Sequence, residues 1–201
     1  MPSPTEIANM ALSDLGNGKE IQNLENEKST EGQTMRRFFD VARDATQRDF
    51  PWSFTTTFAS LALVSEDPTT EWSFAYRYPT DCLKLRRIFS GTRNDSRASR
   101  VPYKIGRDSA GLLIYTDMED AEIEYTASVT DTNKFPPDFT LAFSHRLAMY
   151  GAPRICGEDP FKMGDRAAKL YMFEISIAES ANANEQQDEE EPDAGSIQAR
   201  I

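Results

Sequence analysis

Arg48-Asp49-Phe50-Pro51-Trp52-Ser53-Phe54, followed after a Thr-rich segment by Trp72-Ser73-Phe74-Ala75-Tyr76-Arg77-Tyr78-Pro79-Thr80-Asp81-Cys82-Leu83-Lys84-Leu85-Arg86-Arg87, decides how this chain divides. Apolar residues before Arg48 recur at helical spacing. Pro51 disfavours helical geometry at Phe50 and has no N–H to give, so that helix must stop near Asp49. Phe50-Pro51-Trp52 is then a hinge with aromatic anchors, and the residues beyond it alternate as strands do.

Working towards the N-terminus, Met35, Phe38, Ala42 and Ala45 mark the buried stripe of a helix over about residues 29–49. A polar connector from Asn17 to Lys28, anchored by Ile21 and Leu24, precedes it. Ser3-Pro4-Thr5-Glu6 carries a helix start: Ser3 caps, Pro4 suits the first helical position and Glu6 reaches back to the cap N–H. The first helix, over about 3–15, places Ile7, Met10, Ala11 and Leu15 on one face and ends at Gly16 and Gly18.

Working towards the C-terminus, a strand region over about 53–130 is expected. Phe54, Thr56 and Phe58 fall on one face and Leu61 and Leu63 on the other, which predicts a bulge or a strand buried on both sides. Glu66-Asp67-Pro68-Thr69 turns the chain. Runs at Trp72–Tyr78, Leu83–Phe89, Gly111–Tyr115 and Glu122–Val129 read as further strands of an antiparallel sheet, with Ile123, Tyr125 and Ala127 alternating against polar neighbours. The polar stretch Ser90–Ser99 reads as an exposed reaching loop. Pro136-Pro137-Asp138 closes the region.

Phe139, Phe143, Leu147 and Tyr150 give a third helix over about 138–156, and Asp159-Pro160 starts a fourth, over about 160–183, with Met163, Ala167, Leu170 and Ile177 on one side. Residues 184–201 open with an acidic run nearly devoid of apolar groups and read as a flexible tail. The expected fold is therefore α+β: a four-helix bundle-like part with an inserted antiparallel sheet, forming one body over 1–183, plus a flexible acidic C-terminal docking tail over 184–201.

Charge and composition narrow the function classes. A formal net charge of −11 on 201 residues argues against wrapping nucleic acid, which needs a basic footprint, so any contact with DNA is expected to be passive. A hydrophobic fraction of 39% allows a core of modest size. No apolar run reaches about 18 residues, so a membrane-spanning helix is excluded on length. Met1–Glu6 lacks the build of a signal peptide, and Cys82 and Cys156 suit free thiols in a reducing compartment.

Chemistry finds little material. His145 is the only histidine. It lies eleven positions from Cys156 on one predicted helix, about 16 Å by the helical rise, too far for direct proton transfer. Beside Arg146 it reads as a surface or capping residue. No Cys-x-x-Cys, His-x-x-x-His or calcium-loop pattern occurs, and Gly16-Asn17-Gly18-Lys19 follows a helix rather than opening one, the wrong end of the dipole for phosphate. No catalytic, cofactor or metal residues are expected. Arg36, Arg37, Arg43 and Arg48 sit on the second helix, while Lys84, Arg86, Arg87, Arg93, Arg97 and Arg100 gather around one strand and the following loop. Such arginines pair either with the chain's own acidic excess or with a partner's carboxylates. The aromatic residues from Phe50 to Tyr78 read as core packing rather than a base-stacking platform, because such platforms come with basic surface.

The chain closes on Ser196-Ile197-Gln198-Ala199-Arg200-Ile201, an apolar peptide behind an acidic linker, the build of a segment that orders on binding. A helix broken at Phe50-Pro51-Trp52, a strand, and a strand ending in Tyr78-Pro79-Thr80-Asp81-Cys82-Leu83 resemble the tail tubular protein A, or head-to-tail adaptor, family of short-tailed bacteriophages. The ending resembles the Ser-Trp-x-x-Ala-Arg terminus of that family, with Ile197 where a tryptophan is usual. The resemblance spans Ile7 to Ile201. It implies a virion protein without enzymatic activity, twelve copies in a ring beneath the portal, a tail nozzle or tube protein on the other side, and a lumen through which genomic DNA passes without specific binding. The partner-contacting residues expected on these grounds are Arg86, Arg87, Arg93, Arg97, Ile197, Arg200 and Ile201. The alternative is a soluble acidic interaction module of a cellular complex with no virion role.

Overall fold

In the computed structural model, which describes residues 2–92, 101–157 and 160–185, α1 spans Pro4–Asp14. Its start is the reciprocal cap that the sequence encodes: the Ser3 hydroxyl accepts from the Glu6 N–H and the Glu6 carboxylate accepts from the Ser3 N–H. Its end is a Schellman turn, with the Gly16 N–H donating to the Ser13 carbonyl and the Asn17 N–H to Leu12. Gly16 takes φ +70°, where a Cβ would be strained. The connector is sewn back onto α1 by Asn9, whose amide pairs with both backbone groups of Ile21.

Helix α2 (Thr30–Asp49) begins at the Ser29 cap. Its buried stripe is Met35, Phe39, Ala42 and Thr46, rotated from the expected one. Phe38 and Ala45 are only half-buried, because the helix offers two adjacent phenylalanines and the core takes the second. Pro51 ends the helix as expected. Trp52 then swings back beneath it, 2% exposed, and its indole N–H donates to the Thr46 carbonyl at 3.0 Å. The ring meets Phe50 and Phe139 edge-on at 4.9 and 5.2 Å.

Among the described residues seven strands follow, in two antiparallel sheets. β1 (Thr56–Ser60), β7 (Glu122–Ala127) and β4 (Cys82–Ile88) form one in the order β1-β7-β4. β2 (Leu63–Glu66), β3 (Phe74–Arg77), β6 (Leu112–Thr116) and β5 (Tyr103–Arg107) form the other in the order β2-β3-β6-β5. The change of face between Phe58 and Leu61 is thus neither a bulge nor a doubly buried strand. The chain changes sheets there: the Leu61 N–H bonds Ala121, and the Ala62 carbonyl accepts from Arg77. Ile123 and Tyr125 of the first sheet, with Leu85 and Ile88, face Tyr76 and Ile114 of the second in one small core.

β5 escapes sequence reading, because its apolar signal is short and Gly106 interrupts it. A Cβ at Gly106 would lie 2.4 Å from the Tyr115 ring, so the glycine lets that ring lie across the edge strand.

Helix α3 (Pro137–Ile155) runs through the larger core and packs against α1, α2 and α4 (Pro160–Glu185). Small residues line the α3–α4 contact: a Cβ built at Gly164 would sit in ordinary contact with the Ala152 methyl at 3.5 Å. Pro153, near the end of α3, has no N–H to give the Met149 carbonyl. Ala167, Tyr171 and Ala178 are the buried residues of α4; Ile177, expected inward, is 44% exposed.

The two cores meet through polar bonds. Gln47, fully buried on α2, donates its amide N–H to the Val129 carbonyl at 2.7 Å and accepts the Val129 N–H at 3.1 Å. The mixed architecture of four helices and two antiparallel sheets among the described residues is α+β, as the order of sequence patterns implies.

Candidate functional site

Strand β4 carries the two basic candidates that the structure describes, and it uses them differently. Arg86 is half-buried; Nε donates to the Thr126 hydroxyl at 2.7 Å and Nη2 to the Arg48 carbonyl at 3.1 Å. Burial lowers its guanidinium from the ordinary value, opposed by Glu124 and Asp49. It therefore holds the strand region to the end of α2. Arg87 is exposed, donates from Nε to Glu124 at 2.6 Å, and lays its guanidinium 4.8 Å over the Phe89 ring. Its charge is met within the chain, yet its surface stays open to a partner. Arg93, Arg97, Arg100, Ile197, Arg200 and Ile201 lie outside the described residues, as do Asp159 and the greater part of the 184–201 tail.

Two cations of the second helix, Arg43 and Arg36, are satisfied internally. Arg43, only 8% exposed, pairs with Asp40 and Asp44 at 2.7 and 2.8 Å. Arg36 caps carbonyls of the connector, donating to Leu24 and Glu25.

The densest polar cluster is one that sequence reasoning missed. Arg146 of α3 binds the Asp49 carboxylate, donates to the Tyr171 hydroxyl at 2.8 Å, and lies 4.9 Å from the Tyr171 ring. The Tyr171 hydroxyl also donates to Asp49 at 2.7 Å. Burial and then the Asp49 hydrogen bond push the Tyr171 hydroxyl upward. For Arg146, burial works downward, but bonds to Tyr150 and Asp49 outweigh it, so the charge is held firmly. The cluster joins α2, α3 and α4. Asp49 and Arg146 are 97 positions apart, so no local pattern announces them.

His145 is not the surface residue expected. It is 8% exposed, and Nδ1 lies 2.6 Å from Asp14, pinning α3 to the end of α1. Neither thiol is activated by its surroundings. Burial pushes Cys82 up, partly offset by Tyr78, and burial pushes Cys156 up. Cys156 lies 3.9 Å from the Leu15 carbonyl. Both cysteines are free. Among the described residues no group of three or more His, Cys, Asp or Glu could hold a metal ion, and no helix is long and apolar enough to cross a membrane.

What the surface does offer is exposed apolar side chains, including groups on α4 and on strands β1 and β2. Met172, Phe173 and Ile177 form an outward band on the second half of α4, at 65, 59 and 44% exposure. Phe58, Leu63 and Val64 project from β1 and β2. The first half of α4 carries Lys162, Arg166 and Lys169 on the same outward stripe. The sequence held a signal for this: Phe173 and Ile177 repeat at i, i+4 opposite the Ala167–Tyr171–Ala178 face.

No family model matches the chain, and no curated protein matches it.

Proposed function

We propose that this chain is a structural virion protein, a head-to-tail adaptor of which twelve copies form a ring beneath the portal, joined to a tail nozzle or tail tube protein on the far side. In this reading the helices act as a bundle-like part, the sheets as the insertion that faces the tail, and 1–183 as one body with 184–201 as a flexible docking tail. The observation that carries it is exposed apolar side chains in two regions, Met172, Phe173 and Ile177 on α4 and Phe58, Leu63 and Val64 on β1 and β2. Exposed apolar patches of this kind mark interaction surfaces. A ring of identical subunits needs two different patches that meet across each contact, and closes when the rotation fits. The net charge of −11 supports a lumen that repels phosphate, so genomic DNA passes without being gripped.

The test is the mass of the purified full-length protein in solution, alone and mixed with a cognate portal ring. Ring-sized particles in either sample are expected. A monomer that ignores the portal overturns the adaptor reading and favours a soluble acidic module of a cellular complex. Deleting Asn184–Ile201 is expected to leave the fold intact while weakening ring formation or portal docking; unchanged assembly of the truncated chain excludes the docking role of the tail.

A further inference from the structure

An open furrow of about 700 Å³ runs along the first half of α4, lined by Lys162, Met163, Asp165, Arg166, Lys169 and Leu170. Its floor is apolar and its rim mostly cationic. Arg166 and Lys169 are exposed and make no ion pair or hydrogen bond among the described residues. Through Met163 the furrow continues into a second hollow of about 360 Å³, bordered by Leu15, Ile155 and Cys156. The channel thus passes from a cationic stretch to an uncharged one, where Leu15 and Ile155 give an apolar wall beside Asn17 and Cys156.

The same chain carries the complementary sequence. Asp188-Glu189-Glu190-Glu191-Pro192-Asp193 places five carboxylates in six positions, and Ile197 follows four positions later. Opposite charges and then an apolar residue meet the furrow in matching order.

Reach decides which copy supplies the segment. Measured back along α4 at the helical rise, Arg166 lies about 28 Å and Lys162 about 35 Å from Glu185. Reversing the chain takes a turn of about four residues, so from about Asp188 back to Asp193 the run covers at most about 18 Å, short even of Lys169 at about 24 Å. A chain's own acidic run stops short of most of its own furrow, whereas a run from a second copy has no such tether. Given the ring-forming reading above, we infer that Asp188–Asp193 of one copy docks in the Lys162–Arg166–Lys169 furrow of another, with Ile197 entering the hollow beside Cys156. The contact is heterologous, tail into helix, and so repeats from copy to copy.

Two measurements on the full-length chain test this. In an equal mixture of ¹⁵N-labelled and unlabelled protein, carbodiimide should join the acidic run to Lys169, with half of the joined peptides carrying mixed labels. In sedimentation titrations, Arg166→Glu with Lys169→Glu should weaken self-association roughly tenfold, as expected when a few exposed ion pairs are lost together. Glu189→Lys, Glu190→Lys and Glu191→Lys together should do the same, and the combined set should restore it. Joined peptides of a single label only, or no restoration in the combined set, overturn the inference. A full-length chain that stays monomeric also overturns it, although binding of that monomer to the portal ring would leave the adaptor reading standing.

Discussion

The helical core and the strand core are built to different standards. Around α3 pack Phe39, Phe50, Trp52, Phe135, Phe139 and Phe143, most of them in edge-on contact, and helices from both ends of the chain contribute. Between the two sheets lie eight buried residues, of which only Tyr76 and Tyr125 are aromatic, and both spend their hydroxyls on polar partners: Tyr76 on the Met118 carbonyl, Tyr125 on Asp81. The helical half carries its own stability. The strand half depends on hydrogen bonds, ion pairs and its attachment to α2.

The largest effect should come from the larger core. Phe139→Ala removes a ring in contact with four other aromatic residues and should cost about 3–5 kcal/mol in chemical denaturation. Ile114→Ala, in the strand core, should cost less, about 2–3 kcal/mol, because edge strands can close over the gap. Equal losses would erase the distinction. Next in size is the attachment: Gln47→Leu leaves the Val129 N–H and carbonyl without their partners and should cost about 2 kcal/mol. If the halves are coupled mainly there, hydrogen exchange should rise in β4 and β7 before it rises in α3.

The smallest effect separates the two halves by pH. Arg77 binds Asp108 through two bonds of 2.9 Å, and Asp108 also accepts from the Ala110 and Gly111 N–H groups. These bonds, Arg77 first, lower its carboxyl from 3.8 to about 2. A lowered folded value means stability that is present above about pH 4 and lost as pH falls towards 2. Asp108→Asn should therefore lower the denaturation midpoint at pH 6, with the difference from the unaltered protein shrinking below pH 4. A difference that holds constant to pH 2 would exclude the ionised carboxylate as its source.

Legibility from sequence followed the range of each interaction. The α1 cap, the stop at Pro51 and the start of α3 are local and were readable, because Ser3, Pro51 and Pro137 act on neighbours within a few residues. The rotation of the α2 stripe was not readable, since Phe38 and Phe39 are equally apolar and only Phe143, more than a hundred positions later, selects the second. The sheet change at Leu61 produced a true signal, a switch of face, but the partners that explain it, Ala121 and Arg77, are set by tertiary pairing. Of the candidate contact residues, Arg86 and Arg87 look alike in sequence, yet one bonds the end of α2 and the other stays at the surface. The Asp49–Arg146–Tyr171 cluster and the α4 furrow combine residues whose types are unremarkable one by one.

The interleaving of the larger core has a consequence for synthesis. Helices α1 and α2 are complete by Asp49, but the aromatic face of α3 that covers Met35 and Phe39 begins only at Pro137. At about 5–20 residues per second, a ribosome needs roughly 4–17 seconds to make the intervening chain. Throughout that interval the nascent N-terminal helices present an unpaired apolar stripe, and a chaperone that recognises such stripes would find its binding site on α2 rather than on the strands.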